Sequence, residues 1–220
     1  MKAPLLYKVY RTLRRGWKRM SPDAQQALRS FVASQKTAHG YMNAGGAEDA
    51  YYKQFGDVLE AVFSPSKLIR MPIHLTVQES RNRDTIYGRF FEFLEQEMRM
   101  SRPKEINIDM PKSVTTNAVC CIVAMMHQMG KQPDAMCVEW IRQRQDETGG
   151  FYASDLATVP DLLSTSVALF TLRLIGAEVK DASSFIQAHW LDNGGFAPTL
   201  YDEYSDVEYV FYGLLALGTI

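Results

Sequence analysis

Asp206-Val207-Glu208-Tyr209, with Tyr212 one turn further on, sets acids and phenols at the start of an otherwise apolar run. Glu208 has three readings. It favours the positive end of a helix, it pairs with a basic residue, or it serves as an acid at the mouth of a cavity. Asp206 is placed to cap that run, and Asp161 stands in the same relation to the apolar run that follows it. These three carboxyls, Glu208, Asp206 and Asp161, are the candidate catalytic groups. Asp49, Tyr51 and Tyr52 form a similar polar-aromatic group nearer the start. With Tyr209 and Tyr212 they are the candidate ligand-binding residues. Eleven Tyr, eleven Phe and three Trp could line an apolar pocket, and aromatic faces attract cations. The same residues also serve plain core packing.

No metal is expected from the pattern. The histidines are His39, His74, His127 and His189. Cys120 and His127 are seven apart and share a helix face, but two turns separate them. They read as a core thiol and a hydrogen-bonded imidazole. No cofactor is expected either: the sequence has no P-loop, no G-x-G-x-x-G after a strand, and no G-x-S-x-G elbow.

The 220 residues are 46% apolar and 22% charged, enough to bury one core. No apolar run reaches the roughly 18 residues of a membrane span, and the start lacks the layout of a secretory signal. Cys120, Cys121 and Cys137 are an odd set with two adjacent members. They read as free thiols in a reducing, cytoplasmic compartment. Seven basic residues, from Lys2 to Arg19, precede residue 20 without one acid, although the whole chain is −1. Leu5, Leu6, Val9, Leu13, Trp17 and Met20 recur between them at roughly helical spacing. One reading is a solvated terminal helix. The other is peripheral contact of residues 5–20 with the headgroups of an anionic membrane. Nucleic acid is not expected, because the remaining chain is acidic and repels phosphates.

The elements that must position these residues are helical. Ser21-Pro22-Asp23 is a strong helix start. Asp49, Asp84, Asp134, Asp161, Asp181 and Asp206 each stand before an apolar-periodic run. Helices are predicted near 5–19, 22–36, 49–63, 84–100, 113–129, 134–145, 161–175, 181–190 and 206–217. Runs that are apolar all round (118–126, 162–175, 207–217) alternate with amphipathic ones, which implies an inner and an outer layer. After the first helix there are four outer–inner pairs. Gly149-Gly150-Phe151 returns as Gly194-Gly195-Phe196, and Asp161 as Asp206, both 45 residues on. Ile175-Gly176 returns as Leu217-Gly218 after only 42, so the inner-helix register is ambiguous by about three residues. A weaker copy starts at Gln35, Gly40-Tyr41 and Asp49.

Gln145-Asp146-Glu147-Thr148-Gly149 followed by Gly150-Phe151 resembles the Q-x-x-x-G motif of squalene–hopene-type cyclases, with Phe for the usual Trp. Gly194-Gly195-Phe196 with the run 206–218, and Gln35, Gly40-Tyr41 and Asp49-Ala50-Tyr51-Tyr52, are similar to the repeats of bacterial prenyltransferase-like proteins. This resemblance to the prenyltransferase β-subunit and terpene-cyclase group implies an all-α fold, a partial or small α/α toroid over residues 21–220 with residues 1–20 as a separate basic helix. It implies a central cavity that binds or modifies an isoprenoid or other long apolar chain. The catalytic signatures of those families are missing: zinc Asp-x-Cys with a later His, D-x-D-D, and D-D-x-x-D. A catalytically degenerate member is therefore one expectation, and a non-enzymatic helical-repeat scaffold is the alternative. The apolar flank of the last helix must be covered, either by residues 5–13 of its own chain or by a second subunit or protein partner.

Overall fold

Short polar side chains start most of the helices. In the computed structural model, which describes residues 5–38, 47–64 and 114–220, Ser21 accepts from the Ala24 amide at 3.2 Å and opens the second helix. Thr115, Asp134, Asp161 and Asp206 do the same for later helices. The described helices are α1 Leu5–Arg19, α2 Pro22–Ala38, α3 Ala47–Phe63, α4 Thr116–Gln128, α5 Ala135–Arg142, α6 Leu162–Leu174, α7 Ser183–Ala188 and α8 Val207–Thr219. The chain is thus mostly helical, as expected. The helix predicted over 84–100 and the repeat copy at Gly40-Tyr41 lie outside the described residues.

One small departure is a two-residue antiparallel ladder, β1 Phe151–Tyr152 with β2 Pro160–Asp161. It is too short to leave a periodic signal. Its effect is to fold the loop before α6 back on itself and set Asp161 opposite Phe151.

The 45-residue repeat is written in the hydrogen bonds. Asp146 N–H donates to Gly150 O at 2.9 Å, and Leu191 N–H to Gly195 O at 2.9 Å. Gly149 and Gly194 carry φ of 91° and 90°, the left-handed region that glycine adopts without strain. Thr116 N–H, at the start of α4, donates to Ala153 O, and Leu162 N–H, at the start of α6, donates to Pro198 O. Helices α4 and α6 are therefore each tied to the loop of the repeat that follows. Trp140 stacks under Arg144 at 4.3 Å, and Phe185, 45 residues later, contacts His189 at 4.3 Å.

Phe151 and Phe196 are almost fully buried plugs. Burial of a side chain of this size contributes about 1.5–3 kcal/mol. Gln145, the first residue of the Q-x-x-x-G motif, has a structural task. Its amide donates to Gly149 O and Lys180 O, each at 3.0 Å, and its carbonyl accepts from the Lys180 amide at 3.0 Å. It stitches one Gly-Gly turn to the approach of the next outer helix. The Gly149 turn sits directly on the Asp181–Ala182 backbone before α7. The Gly194 turn makes the corresponding contact with α2: a Cβ there would lie 2.6 Å from the Ala27 carbonyl.

The inner-helix register is resolved by Gly176 and Gly218, which are not equivalent. Gly176, at φ 76°, follows α6 as its C-terminal glycine. Gly218 lies inside α8, against the Thr12 carbonyl of α1. The 42-residue spacing is a coincidence of two glycines with different tasks. The same contact shows what covers the last helix. Helix α1 packs on α8 and on α3, with Leu13 and Trp17 buried in the common core. Trp17 meets Phe63 at 4.5 Å between ring centroids. The apolar stripe of α1 therefore faces the protein, the first of the two covering arrangements expected. No described helix is long and apolar enough to cross a membrane.

Candidate functional site

The first turns of α6 and α8 bring the sequence candidates together. Asp206, in extended conformation, accepts from the Glu208 and Tyr209 amides at 2.8 and 3.0 Å. Asp161 accepts from the Ser164 amide at 2.7 Å. Both carboxyls are thus engaged as helix caps. Burial pushes the Asp161 carboxyl up, against the lowering effect of its bonds to Ser164 and the field of His189. Burial also pushes the Tyr209 phenol well up, and the neighbouring Glu208, Tyr204, Asp206 and Asp161 add to it. Tyr209 therefore stays neutral at ordinary pH. Glu208 occupies the first turn of α8, half-buried.

An aromatic face continues along α8. Phe211 meets Phe55 of α3 edge-on at 5.3 Å and Tyr212 at 5.4 Å. Tyr212 also lies 6.3 Å from Phe55 and 6.5 Å from Tyr209. All four rings are only half-buried. Asp49, Tyr51 and Tyr52 fall within α3, but their side chains lie outside the described residues.

One residue of this end escaped the sequence reading. His189 is fully buried. Its Nδ1 lies 2.8 Å from the Phe185 carbonyl, so the proton sits on Nδ1 and that nitrogen donates. Its Nε2 is a buried acceptor without a described partner. Burial holds its pKa below the ordinary value, against the Phe185 bond and the fields of Asp161 and Asp202. Its repeat-equivalent is Arg144, which ion-pairs with Asp155. The 45-residue register is the signal that could have drawn attention to the position.

Cys120 is buried on α4, where burial and Cys121 raise its thiol well above the usual range, against a hydrogen bond with Thr171. His127 ends the same helix. Among the described residues no group of three or more His, Cys, Asp or Glu side chains is placed to hold a metal. No family model matches the sequence, and neither a curated protein nor a solved structure matches it.

Proposed function

We propose that the chain is a small α/α toroid that binds an isoprenoid or other long apolar chain against the aromatic face of α8. The observation that carries this reading is the connected, half-buried set Phe55, Phe211, Tyr212 and Tyr209, with Glu208 and Asp206 at one end. Such a face offers an apolar chain area and ring edges, while the acids mark a polar mouth. Closure of the ring is supported by the Gly-Gly turns. The Gly194 turn meets α2 as the Gly149 turn meets α7, so the last repeat treats the first as its next neighbour. The reading is one of binding, and Glu208 is the acid whose removal tests for chemistry on the bound chain.

Native mass spectrometry after mild extraction is the test. A co-purifying lipid, or stabilisation by prenyl diphosphates or fatty acids, is expected; the absence of both overturns the reading.

A scaffold role is favoured by a different observation. Leu156 and Tyr201, 45 residues apart, are 78% and 81% exposed, and Leu200 and Tyr204 flank the second at 54% and 59%. Equivalent loops of two repeats thus present large apolar side chains to solvent, as a partner-docking array does. A folded partner retained through these loops, with no lipid bound, would select this alternative.

A further inference from the structure

Lys8, Arg11 and Arg15 recur along α1 at spacings of three and four, so they share one helix face. That face meets the C-terminal ends of α6 and α8. A pocket of about 350 Å3 opens there, ringed by Lys8, Arg11, Arg15 and Arg173, with Thr12 and Thr219 beside them. Arg15 is held in place by donating to the Thr12 hydroxyl at 2.9 Å.

Helix C-termini attract cations, so a plain capping role has to be weighed first. At α8 that task falls to Arg19, which donates to Leu217 O at 2.6 Å, and at α6 Arg173 stands in the last turn. Two helix ends together carry about one negative elementary charge. Four cations around the pocket exceed that by a wide margin. Among the described residues, the ion pairs are Lys36 with Glu60 and Arg144 with Asp155, neither of which involves this pocket. Desolvation first, and then the fields of Arg19, Arg11 and Arg173, push the Arg15 pKa down. No acid is among the described residues that line the pocket, so its four cations lack a local counter-charge that a bound anion would supply.

We propose that this pocket binds a compact, multiply charged phosphate group such as a diphosphate, held by Arg15, Arg173, Arg11 and Lys8. Arginine forks match phosphate oxygens two at a time, and lysine adds a point charge. The small volume suits a compact anion. A long nucleic acid is disfavoured, because the seven basic residues before residue 20 leave the rest of the −1 chain at about −8. The shared chemistry has two sources, a free phosphate compound or a lipid headgroup.

The test uses the full chain, with inorganic diphosphate as probe and sodium chloride at matched ionic strength as control. Saturable thermal stabilisation by diphosphate is expected. Arg15→Gln with Arg173→Gln should weaken it by about tenfold or more, because charge-assisted hydrogen bonds are lost. The double variant without ligand should melt no lower than the parent, since repulsion is relieved. If it does not fold, Lys8→Gln alone should show the same loss in smaller measure. Stabilisation no greater than with sodium chloride overturns the proposal, as does saturable binding unchanged in the variants. Vesicles of phosphatidylcholine with and without phosphatidic acid separate the sources. Flotation that needs phosphatidic acid and is competed by diphosphate assigns a lipid headgroup. Diphosphate binding without flotation assigns a free compound. Flotation that survives in the variants counts against the pocket.

Discussion

Gly16 of α1 and Gly218 of α8 meet backbone to backbone: a Cβ on Gly218 would lie 2.9 Å from the Gly16 nitrogen, and one on Gly16 would lie 3.0 Å from the Gly218 nitrogen. Helices approach this closely only where neither carries a side chain at the crossing. The crossing lets Arg19 reach the Leu217 carbonyl at 2.6 Å and brings Leu13 and Trp17 into the core.

Gly218→Ala and Gly16→Ala are each expected to cost about 1–3 kcal/mol, the range for overpacking a tight contact. Urea denaturation measures this, and midpoints equal to the parent would show that the crossing has slack. Removal of residues 1–20 uncovers α8, so light scattering should find self-association and the melting temperature should fall. A monomeric truncation with an unchanged melting temperature contradicts the covering role of α1.

Gln145→Ala removes three hydrogen bonds around a mostly buried amide and leaves Lys180 N–H and two carbonyls to find other partners. A loss of about 2–3 kcal/mol is expected. Phe151→Ala and Phe196→Ala should each cost about 3–5 kcal/mol, as large-to-small changes at buried aromatics do. Because the two plugs occupy equivalent places, their costs should be alike. A large cost for one and none for the other in thermal or urea unfolding would argue that the repeat equivalence is superficial.

Much of this architecture could be read from local chemistry. The caps Ser21, Asp134, Asp161 and Asp206 announce helices within a few residues of their starts, and α1 begins and ends where its periodicity says. The Gly-Gly-Phe turns carried the register, because a left-handed glycine and a buried aromatic both leave a sequence mark. Tertiary tasks were harder. Gly218 looks like Gly176 in sequence, yet one packs against α1 and the other terminates α6. His189 looks like any helix-end histidine until the fold buries it under the field of Asp161. The pocket at Lys8, Arg11, Arg15 and Arg173 joins residues more than 150 positions apart, so only the face on α1 was visible beforehand. Asp161 and Asp206 were legible as caps, and that is the task both perform.

If the aromatic face of α8 holds an apolar chain, Phe211→Ala and Tyr212→Ala should weaken stabilisation by fatty acid or prenyl diphosphate by roughly tenfold each, the scale of one lost aromatic contact surface. Leu156→Ser and Tyr201→Ser, on the exposed loops, should leave it unchanged. Thermal shift titrations compare the four. Equal effects from loop and face variants would remove the face as the binding surface. Glu208→Gln should leave lipid affinity within about twofold if the acid acts only on bound ligand, and product analysis would then show whether conversion stops.

His189 gives the chain a predictable response to acid. Its folded pKa lies below the ordinary value of 6.5, chiefly because the imidazole is desolvated. The unfolded chain therefore takes up the proton first as pH falls. The stability that the neutral ring contributes is full above about pH 6.5 and is lost as pH drops from there through the folded value. Asp161 has the opposite sign. Its folded pKa is raised above 3.8 by burial, so its contribution is present at lower pH and lost as pH rises through the folded value. As pH falls below about 6.5, the histidine's contribution is lost and should lower the melting temperature. His189→Gln loses the Phe185 contact and should melt lower at neutral pH, but with a flatter pH profile than the parent. Parallel profiles for parent and variant across that range would show that His189 does not set the acid response.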